Sequence, residues 1–154
     1  MGVGVEVAEQ ASDELVAALA RLMPQLSRSV DVMDSEAVGA LVGWPGSRVL
    51  VARVDDLIVG TLTLVVYPAP SGLRARVEDV VVDAAARGRG VGSALMLEAV
   101  RLASIDGVYT IDLTSRTSRA AANRLCEELG FELADDRPYR LTLPRRGRRR
   151  AAGG

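Results

Sequence analysis

A short turn rich in glycine and arginine is the first place where this chain could do chemistry. It reads Arg87-Gly88-Arg89-Gly90-Val91-Gly92-Ser93 and follows an apolar, strand-like segment. The glycines carry no Cβ, so a ligand can approach their amides, and the start of a helix adds unpaired N–H groups and a positive dipole end. The pattern predicts a pyrophosphate site. A purely structural turn and a dinucleotide-binding fingerprint are the alternatives, and the Gly-x-Gly-x-Gly spacing in mid-chain suits the fingerprint poorly.

The residue types that the chain lacks exclude several mechanisms. Its 154 residues include no histidine and no lysine, so all 19 basic residues are arginine, and Cys126 is the single cysteine. A Ser-His-Asp triad, a Walker phosphate loop and a pyridoxal Schiff base each need a missing residue. The sequence also predicts no metal site and no disulfide within the chain. Catalysis must therefore use carboxylates, hydroxyls, one thiol, arginines or the backbone.

Composition and charge indicate a single soluble domain. Hydrophobic residues make up 49% of the chain and its formal net charge is −1. The near-neutral balance argues against nucleic-acid binding, and the absence of a long apolar run or a signal peptide favours a cytoplasmic protein that is not bound to membranes. We expect one domain over residues 1–144 and a disordered, arginine-rich tail over 145–154, for which a weak polyanion contact is the alternative reading.

Hydrophobic periodicity predicts the elements in the order β-α-α-β-β-β-α-β-α-β-β. The first helix follows an N-cap at Ser12 or Asp13 and ends at Pro24, and a second runs from about residue 35 to 42. The later helices cover residues 90–104 and 118–129. The seven strands are expected at 3–8, 49–54, 57–67, 73–83, 108–113, 131–133 and 139–143. This order predicts an α/β fold, with a mixed, partly antiparallel twisted sheet of about seven strands flanked by four helices.

Two motifs in this order resemble the Gcn5-related N-acetyltransferase (GNAT) superfamily. Residues 77–96 are similar to its motif A, whose turn reads Arg/Gln-x-x-Gly-x-Gly/Ala, and Arg87, Gly90 and Gly92 match that turn. The run Leu-Cys-Glu-Glu-Leu-Gly-Phe at 125–131 resembles the superfamily's Leu/Phe-Tyr-Glu-Lys-Leu-Gly-Phe motif at the expected distance. The element order agrees over about residues 3–143, so the resemblance implies the acyl-CoA N-acyltransferase fold.

The resemblance implies how acetyl-CoA would be held. In that superfamily the strand before the turn separates from its parallel neighbour, and the pantetheine arm pairs with the exposed strand backbone. The corresponding backbone belongs to Val80, Val81 and Val82. The pyrophosphate would lie on the amides of the turn, formed by Gly88, Arg89, Gly90, Val91, Gly92 and Ser93, with Arg87 beside it.

The resemblance also suggests catalytic groups. Glu78 lies in a Val-Glu-Asp-Val run similar to one in polyamine and glucosamine-phosphate members, where the glutamate is often assigned as a general base. We expect burial to raise the pKa of Glu78, and alternation along the strand to turn Asp79 to the opposite face; a solvent-facing or salt-bridged Glu78 is the alternative. Cys126 stands where the superfamily has its tyrosine acid, so its thiol would protonate the leaving thiolate or be an inert packed side chain.

These features favour an acetyl-CoA-dependent N-acetyltransferase acting on a primary amine of a small molecule or peptide. The alternative is a catalytically degenerate acyl-CoA-binding sensor or partner protein, which the missing tyrosine motivates. Acceptor choice is assigned to the loops over residues 24–38 and 68–73, and the family resemblance suggests a possible homodimer.

Overall fold

The structure is a computed structural model and describes residues 2–115 and 120–145. Over these residues the chain forms five strands, four helices and one 3-10 turn. In chain order they are β1 (Gly4–Val7), α1 (Asp13–Leu26), α2 (Ser35–Val42), β2 (Ser47–Val54), β3 (Leu57–Ala69), β4 (Gly72–Val82), the 3-10 turn (Ala84–Ala86), α3 (Val91–Ile105), β5 (Thr110–Leu113) and α4 (Ala120–Glu128).

The five strands form one sheet in the order β1-β2-β3-β4-β5. The first three pairings are antiparallel, and β4 pairs with β5 in parallel. A parallel connection has to cross over the sheet, and α3 supplies that crossover between β4 and β5. The turn before α3 therefore lies at the carboxyl end of β4, where ligands of open α/β sheets commonly bind.

Apolar side chains pack on both faces of the sheet. On one face, Leu62, Leu64 and Leu95 belong to a cluster between the sheet and α3. On the other, α1 and α2 bury Leu22 and Val38 against strand residues. Both of these helices begin as the sequence predicts, because Ser12 accepts a hydrogen bond from the Leu15 amide and Asp34 accepts one from the Ala37 amide.

Two tight hairpin turns connect the long antiparallel strands. Asp55 and Asp56 both adopt a left-handed backbone, with φ of 52° and 63°, which matches the twist of a two-residue β-hairpin. Strands β3 and β4 extend further than predicted and pair up to Ala69 opposite Gly72. The loop predicted over residues 68–72 is therefore wrong, since only Pro70 and Ser71 separate the two strands.

Three further predictions of secondary structure are wrong. Residues 131–133 and 139–143 are not strands; the described sheet has five strands rather than about seven, and α4 is followed by an extended, exposed segment in which Leu133, Tyr139 and Leu141 face solvent. Alternation marks a segment that can form a strand, but a strand also needs a partner edge. Pro24 lies inside α1, which continues for two residues beyond it. The start of α4 predicted at Ser118 lies outside the described residues.

No helix in the described parts of the chain is long and apolar enough to cross a membrane.

Candidate functional site

The turn between β4 and α3 has the geometry of an anion site. Gly88 and Gly90 adopt left-handed backbones with φ of 79° and 78°, and Gly90 is the N-cap of α3 without any side-chain cap. A Cβ added at either glycine would meet no atom within 4 Å, so the space in front of both is open. Arg87 and Arg89 flank this space and are exposed. Two of the three glycines are therefore required by the backbone, and their outer side is free for a ligand.

The amides of the turn have no hydrogen-bond partner among the residues that the structure describes. Within residues 2–115 and 120–145, no acceptor is hydrogen-bonded to the backbone N–H groups from Arg87 to Ser93, whereas the Ala94 amide donates to the Gly90 carbonyl at 3.0 Å. The first N–H groups of a helix have no partner within that helix. Helix α3 therefore presents its unpaired donors and positive dipole end to the open space before Gly88 and Gly90.

Strand β4 loses one of its neighbours just before it reaches the turn. It pairs with β5 only from Arg74 to Val77, whereas its pairing with β3 continues to Val82. Alternate backbone groups of the last part of β4 therefore point to an open edge. Val80 and Val82 pack in the cluster on the α3 side, and Val81 is buried against the α1 side. The side chains of this segment pack on both faces, while its backbone edge toward β5 has no pairing partner in the part of the chain that the structure describes.

A β-bulge interrupts β4 at the start of this open edge. The register with β3 shifts between the pairs Thr63–Glu78 and Thr61–Val81, and Asp79 takes a left-handed backbone with φ of 50°. A bulge adds one residue, bends the strand and re-aims its side chains. Simple alternation therefore does not govern the residues after Glu78, and the expectation that Glu78 and Asp79 point to opposite faces stays a prediction.

Contrary to expectation, apolar groups do not enclose Glu78. Its side chain is 46% exposed, and Oε1 accepts a hydrogen bond of 2.8 Å from Nε of Arg76. Arg76 also donates from Nη2 to the Thr114 hydroxyl at 3.2 Å. The salt-bridged alternative therefore describes Glu78 in the free protein. The sequence signal was available, because residues two apart on a strand share a face, and Arg76 stands two before Glu78.

Asp79 is a carboxyl group of the bulge whose proton affinity the fold changes. Its side chain is exposed, but desolvation of the carboxyl and, to a lesser extent, the neighbouring charge of Glu78 raise the pKa of Asp79 above its ordinary value. The two carboxyls are adjacent in the chain but differ in surroundings, since Glu78 has an arginine partner and Asp79 has none among the described residues. The bulge therefore places two carboxyl groups with different surroundings side by side on β4.

Helix α4 comes close to the turn. A Cβ added at Gly92 would meet Cδ2 of Leu125 at 3.4 Å and Cγ2 of Val82 at 3.8 Å, so the start of α3, the end of β4 and α4 converge there. Cys126 follows Leu125, is partly buried and carries a free thiol. Burial, more than the charge of Glu127, raises the pKa of Cys126. The thiol is therefore protonated at neutral pH.

Contacts from α1 fix the beginning of the turn, and the sequence did not suggest them. The Gln25 side chain accepts a hydrogen bond of 2.9 Å from the Ala84 amide, and Arg21 lies 3.8 Å from Asp83. Asp83 itself accepts from the Ala85 amide and closes the 3-10 turn. Both contacts join residues about sixty positions apart, and nothing local in the sequence marks such pairs. They hold the end of β4 against α1.

Among the described residues, no group of three or more histidine, cysteine, aspartate or glutamate side chains could hold a metal.

A family model decides the classification. The model described as "Acetyltransferase (GNAT) family" matches residues 13–131, which is most of the chain. The chain belongs to the GNAT family. The matched range includes the glycine turn, the open edge of β4, the bulge and Cys126, and the resemblance drawn from the two motifs is confirmed.

Two curated relatives of this GNAT protein are N-acetyltransferases by name. One is the L-amino acid N-acetyltransferase AaaT of Escherichia coli (strain K12), 37% identical over 96 residues, which are 60% of this chain and 58% of the relative. The other is the glucosamine 6-phosphate N-acetyltransferase of Trypanosoma brucei brucei, 37% identical over 100 residues, which are 63% of this chain and 65% of the relative. The match thus spans under two thirds of each relative. Neither name supports a degenerate sensor.

Solved structures show the same fold over almost the whole chain. A transcriptional regulator from Bacillus halodurans C-125 superposes with a TM-score of 0.75 at 28% identity, over 92% of this chain and 100% of the other. The predicted α/β fold with a mixed sheet and four helices is therefore confirmed, with five strands in the described residues.

Proposed function

We propose that this GNAT protein is an acetyl-CoA-dependent N-acetyltransferase that acts on a primary amine of a small molecule. The observation that carries the proposal is that the open edge of β4 and the glycine turn adjoin each other. The open edge of β4 over residues 78–82 leads directly into a turn whose amides from Arg87 to Ser93 have no acceptor among the described residues. An extended arm on the edge and a pyrophosphate on the turn match the two halves of coenzyme A.

The turn has the right donors for the pyrophosphate. The free amides of Gly88, Gly90 and Gly92 and the N-terminus of α3 favour bound phosphate oxygens, and Arg87 and Arg89 add positive charge. The absence of a Cβ at Gly88 and Gly90 leaves the approach clear. These residues fit the pyrophosphate of acetyl-CoA. When bound, acetyl-CoA would supply the activated acetyl carbon through its thioester.

The edge of β4 has the right geometry for the pantetheine arm. An extended chain can add to an open strand edge through main-chain hydrogen bonds, while side chains remain packed on either face. Val80, Val81 and Val82 offer such an edge, since β5 has already separated from β4. An arm in this position would bring its thioester end toward the bulge, which lies at the start of the open edge next to Glu78.

The chemistry then needs a proton acceptor and a proton donor. The acceptor nitrogen attacks the carbonyl carbon of the thioester, the C–S bond breaks, and a proton leaves the nitrogen as the sulfur gains one. We assign the first proton to Glu78, directly or through water, because it borders the open edge and is half exposed. Cys126 is the proposed donor to sulfur, since burial keeps its thiol protonated and α4 contacts the turn at Gly92.

The relatives support a small amine as acceptor. Their names state L-amino acids and glucosamine 6-phosphate, both of which carry a primary amine. The acceptor would approach the bulge from the sheet face that carries Glu78.

Release of free coenzyme A thiol from acetyl-CoA tests the proposal. We expect release to require an amine from a panel of amino acids, amino sugars and simple alkylamines, and each productive amine to gain 42 mass units, the mass of the added acetyl group. The matched control is Gly90→Val, since a branched side chain at a left-handed position would distort the turn and fill the space before it. Tight binding of coenzyme A with no thiol release for any amine would sink the proposed activity.

A further inference from the structure

Over the first half of β4, no helix of the described residues covers the face that carries Glu78. Ala75 and Val77 are buried in the cluster on the α3 side, so Arg74, Arg76 and Glu78 lie on the opposite face. Helix α1 packs on this opposite face, but against Ile58 and Val81, toward the other end of β4. The stretch from Arg74 to Glu78 therefore forms an open floor that ends at the bulge.

The register across the sheet arranges this floor in rows. Residues paired across neighbouring strands share a face, so Tyr67, Arg74 and Thr110 form one row, and Val65, Arg76 and Asp112 form the next. Glu78 lies opposite Thr63 in a third row. The charge changes along the floor, from positive at Arg74, through the mixed row of Arg76 and Asp112, to negative at Glu78.

Arg74 is held in place with most of its hydrogen-bonding capacity free. Its Nε donates to the Tyr109 hydroxyl at 2.8 Å, and its guanidinium carbon lies 5.4 Å from the centre of the Tyr109 ring. The Tyr109 hydroxyl donates in turn to Oγ of Ser71 at 3.1 Å. Within the described ranges, the terminal nitrogens of Arg74 have no acceptor, and no carboxylate lies within 4.0 Å of them.

A fixed guanidinium with two free terminal nitrogens suits a planar or tetrahedral oxyanion. Carboxylate and phosphate oxygens accept paired hydrogen bonds from this fork, and holding the fork beforehand reduces the ordering cost of binding. Along a strand, four residues span about 13 Å between Cα atoms. The Glu78 carboxylate leans back along this span toward Arg76, to which it is hydrogen-bonded, while the Arg74 guanidinium is held against Tyr109.

We propose that the acceptor carries an anionic group, carboxylate or phosphate, which Arg74 binds while the primary amine lies at Glu78. This inference rests on the proposed acetyl transfer and names its substrate class. Arg76 lies between the two ends and is bonded to Glu78 in the free protein. An anion on the floor draws the Arg76 guanidinium toward itself, which weakens its bond to Glu78 and leaves that carboxylate available for the amine proton.

Matched pairs of amines test the inference. The pairs are ethanolamine with O-phosphoethanolamine, glucosamine with glucosamine 6-phosphate, and propylamine with 3-aminopropionate, so that phosphate and carboxylate are compared separately. Charged hydrogen bonds of this kind change equilibria by about tenfold to a hundredfold. We expect kcat/KM to be at least about tenfold higher for the anionic member of at least one pair. Equal values within all three pairs overturn the inference, although the acetyl transfer itself would stand.

Variants separate an anion site from a merely structural arginine. Arg74→Gln is expected to raise KM for the anionic amine by about tenfold, to leave kcat nearly unchanged, and to leave both constants for the neutral partner unchanged. Tyr109→Phe keeps the ring but removes the hydroxyl that fixes Arg74, and should raise the same KM by a smaller factor. The matched control is Arg101→Gln, which removes an exposed arginine of α3 bonded to Glu98. An equal loss with both kinds of amine would contradict the proposal.

A binding measurement distinguishes failure of this inference from failure of the proposed activity. Calorimetric titration of the wild-type chain with O-phosphoethanolamine and with ethanolamine needs no turnover. Preferential binding of the phosphorylated amine, abolished in Arg74→Gln, supports the anion site even where no amine releases thiol. Equal weak binding of both amines overturns the site even where acetyl transfer occurs.

Discussion

Glu78 and Asp79 are adjacent carboxylates with different surroundings, and this difference decides which one we expect to act as base. Glu78 lies on the floor and has an arginine partner, while Asp79 lies exposed in the bulge, where desolvation of its carboxyl raises its pKa. A general base must be ionised when the amine arrives and must reach it. The partner of Glu78 can be displaced by the acceptor, so we assign the base to Glu78.

Glu78→Gln is therefore expected to lower kcat by about 10²-fold to 10⁴-fold, the usual contribution of a positioned base. The dissociation constant of acetyl-CoA should change little, since the turn and the edge beyond the bulge are untouched. The measurements are thiol release at saturating substrates and a calorimetric titration with coenzyme A. Glu98→Gln is the matched control, because it removes a glutamate that also pairs with an arginine but lies on α3. An unchanged kcat in Glu78→Gln would assign the base elsewhere, with Asp79 the next candidate.

The thiol of Cys126 provides a test that depends on pH. Burial raises its pKa, so the folded state favours the protonated thiol, and the stability this gives is lost as pH rises above the ordinary thiol value. Only the thiolate reacts with iodoacetamide. We expect alkylation of the folded chain at pH 7 to be slower than alkylation of the same chain unfolded in urea, and the pH midpoint of the reaction to lie higher in the folded chain. Coincident midpoints would show that the thiol is not desolvated and would weaken its role as proton donor.

The sequence identified several site residues but not their relations. The glycine spacing located the turn before α3, and the family resemblance pointed to Glu78 and to Val80, Val81 and Val82, whose roles stay predictions. A salt-bridged Glu78 is one of the alternatives that the sequence offers, and its spacing from Arg76 could have identified the partner. The bulge at Asp79 was not detectable from the sequence. Aspartate is only one of several residue types that tolerate a left-handed backbone, and the position of a bulge depends on how β4 pairs with β3.

At the scale of elements, the site depends on how closely α3 packs against β3. Gly60 lies where α3 crosses the sheet, and a Cβ there would come within 2.9 Å of Cγ1 of Val91, 3.1 Å of Cδ1 of Leu95 and 3.2 Å of the Val81 carbonyl oxygen. The small residue on β3 therefore sets the position of the N-terminus of α3, and with it the amides of the turn.

Gly60→Ala is expected to destabilise the fold by about 1–3 kcal/mol, the usual cost of overpacking a core contact. Gly39→Ala is the matched control: its Cβ would meet only Cβ of Ala11 at an ordinary 3.8 Å, and it lies within α2, so we expect a gain of about 0.5–1 kcal/mol. Urea denaturation of both variants measures the free energy of unfolding. A neutral Gly60→Ala would show that α3 can move away from β3 without cost.

The elements that the sequence predicted well are those with local signals. Helices α1 and α2 have capping side chains, and the hairpin at Asp55 has two residues that tolerate a left-handed turn. The two predicted C-terminal strands failed because pairing depends on a distant edge rather than on alternation. The prediction that α1 ends at Pro24 was wrong, because a proline this close to the end of a helix removes only one hydrogen bond and the last residues of α1 still form helix beyond it.

At the scale of the whole molecule, the candidate site lies where three parts of the fold meet. The antiparallel part of the sheet holds β4 through β3, the parallel crossover brings α3 to the end of β4, and α4 contacts that junction through Leu125. The early end of β5 opens the gap between them. A ligand placed in the gap would add contacts between these elements in the folded state only, so its binding should be visible in global stability.

We therefore expect coenzyme A to raise the Tm of the chain. A ligand at about 100 times its Kd adds about 2.7 kcal/mol to the free energy of unfolding. For a domain of this size, each 1 kcal/mol moves Tm by about 2–4 °C, so the expected shift is about 5–10 °C. Arg87→Gln and Arg89→Gln should reduce the shift and its sensitivity to salt, because both arginines lie beside the turn and act through charge. Arg101→Gln, remote on α3, should retain the full shift. A shift that persists undiminished in the Arg87 and Arg89 double variant would mean that the phosphates are bound away from the turn, and the open edge of β4 would then need another occupant.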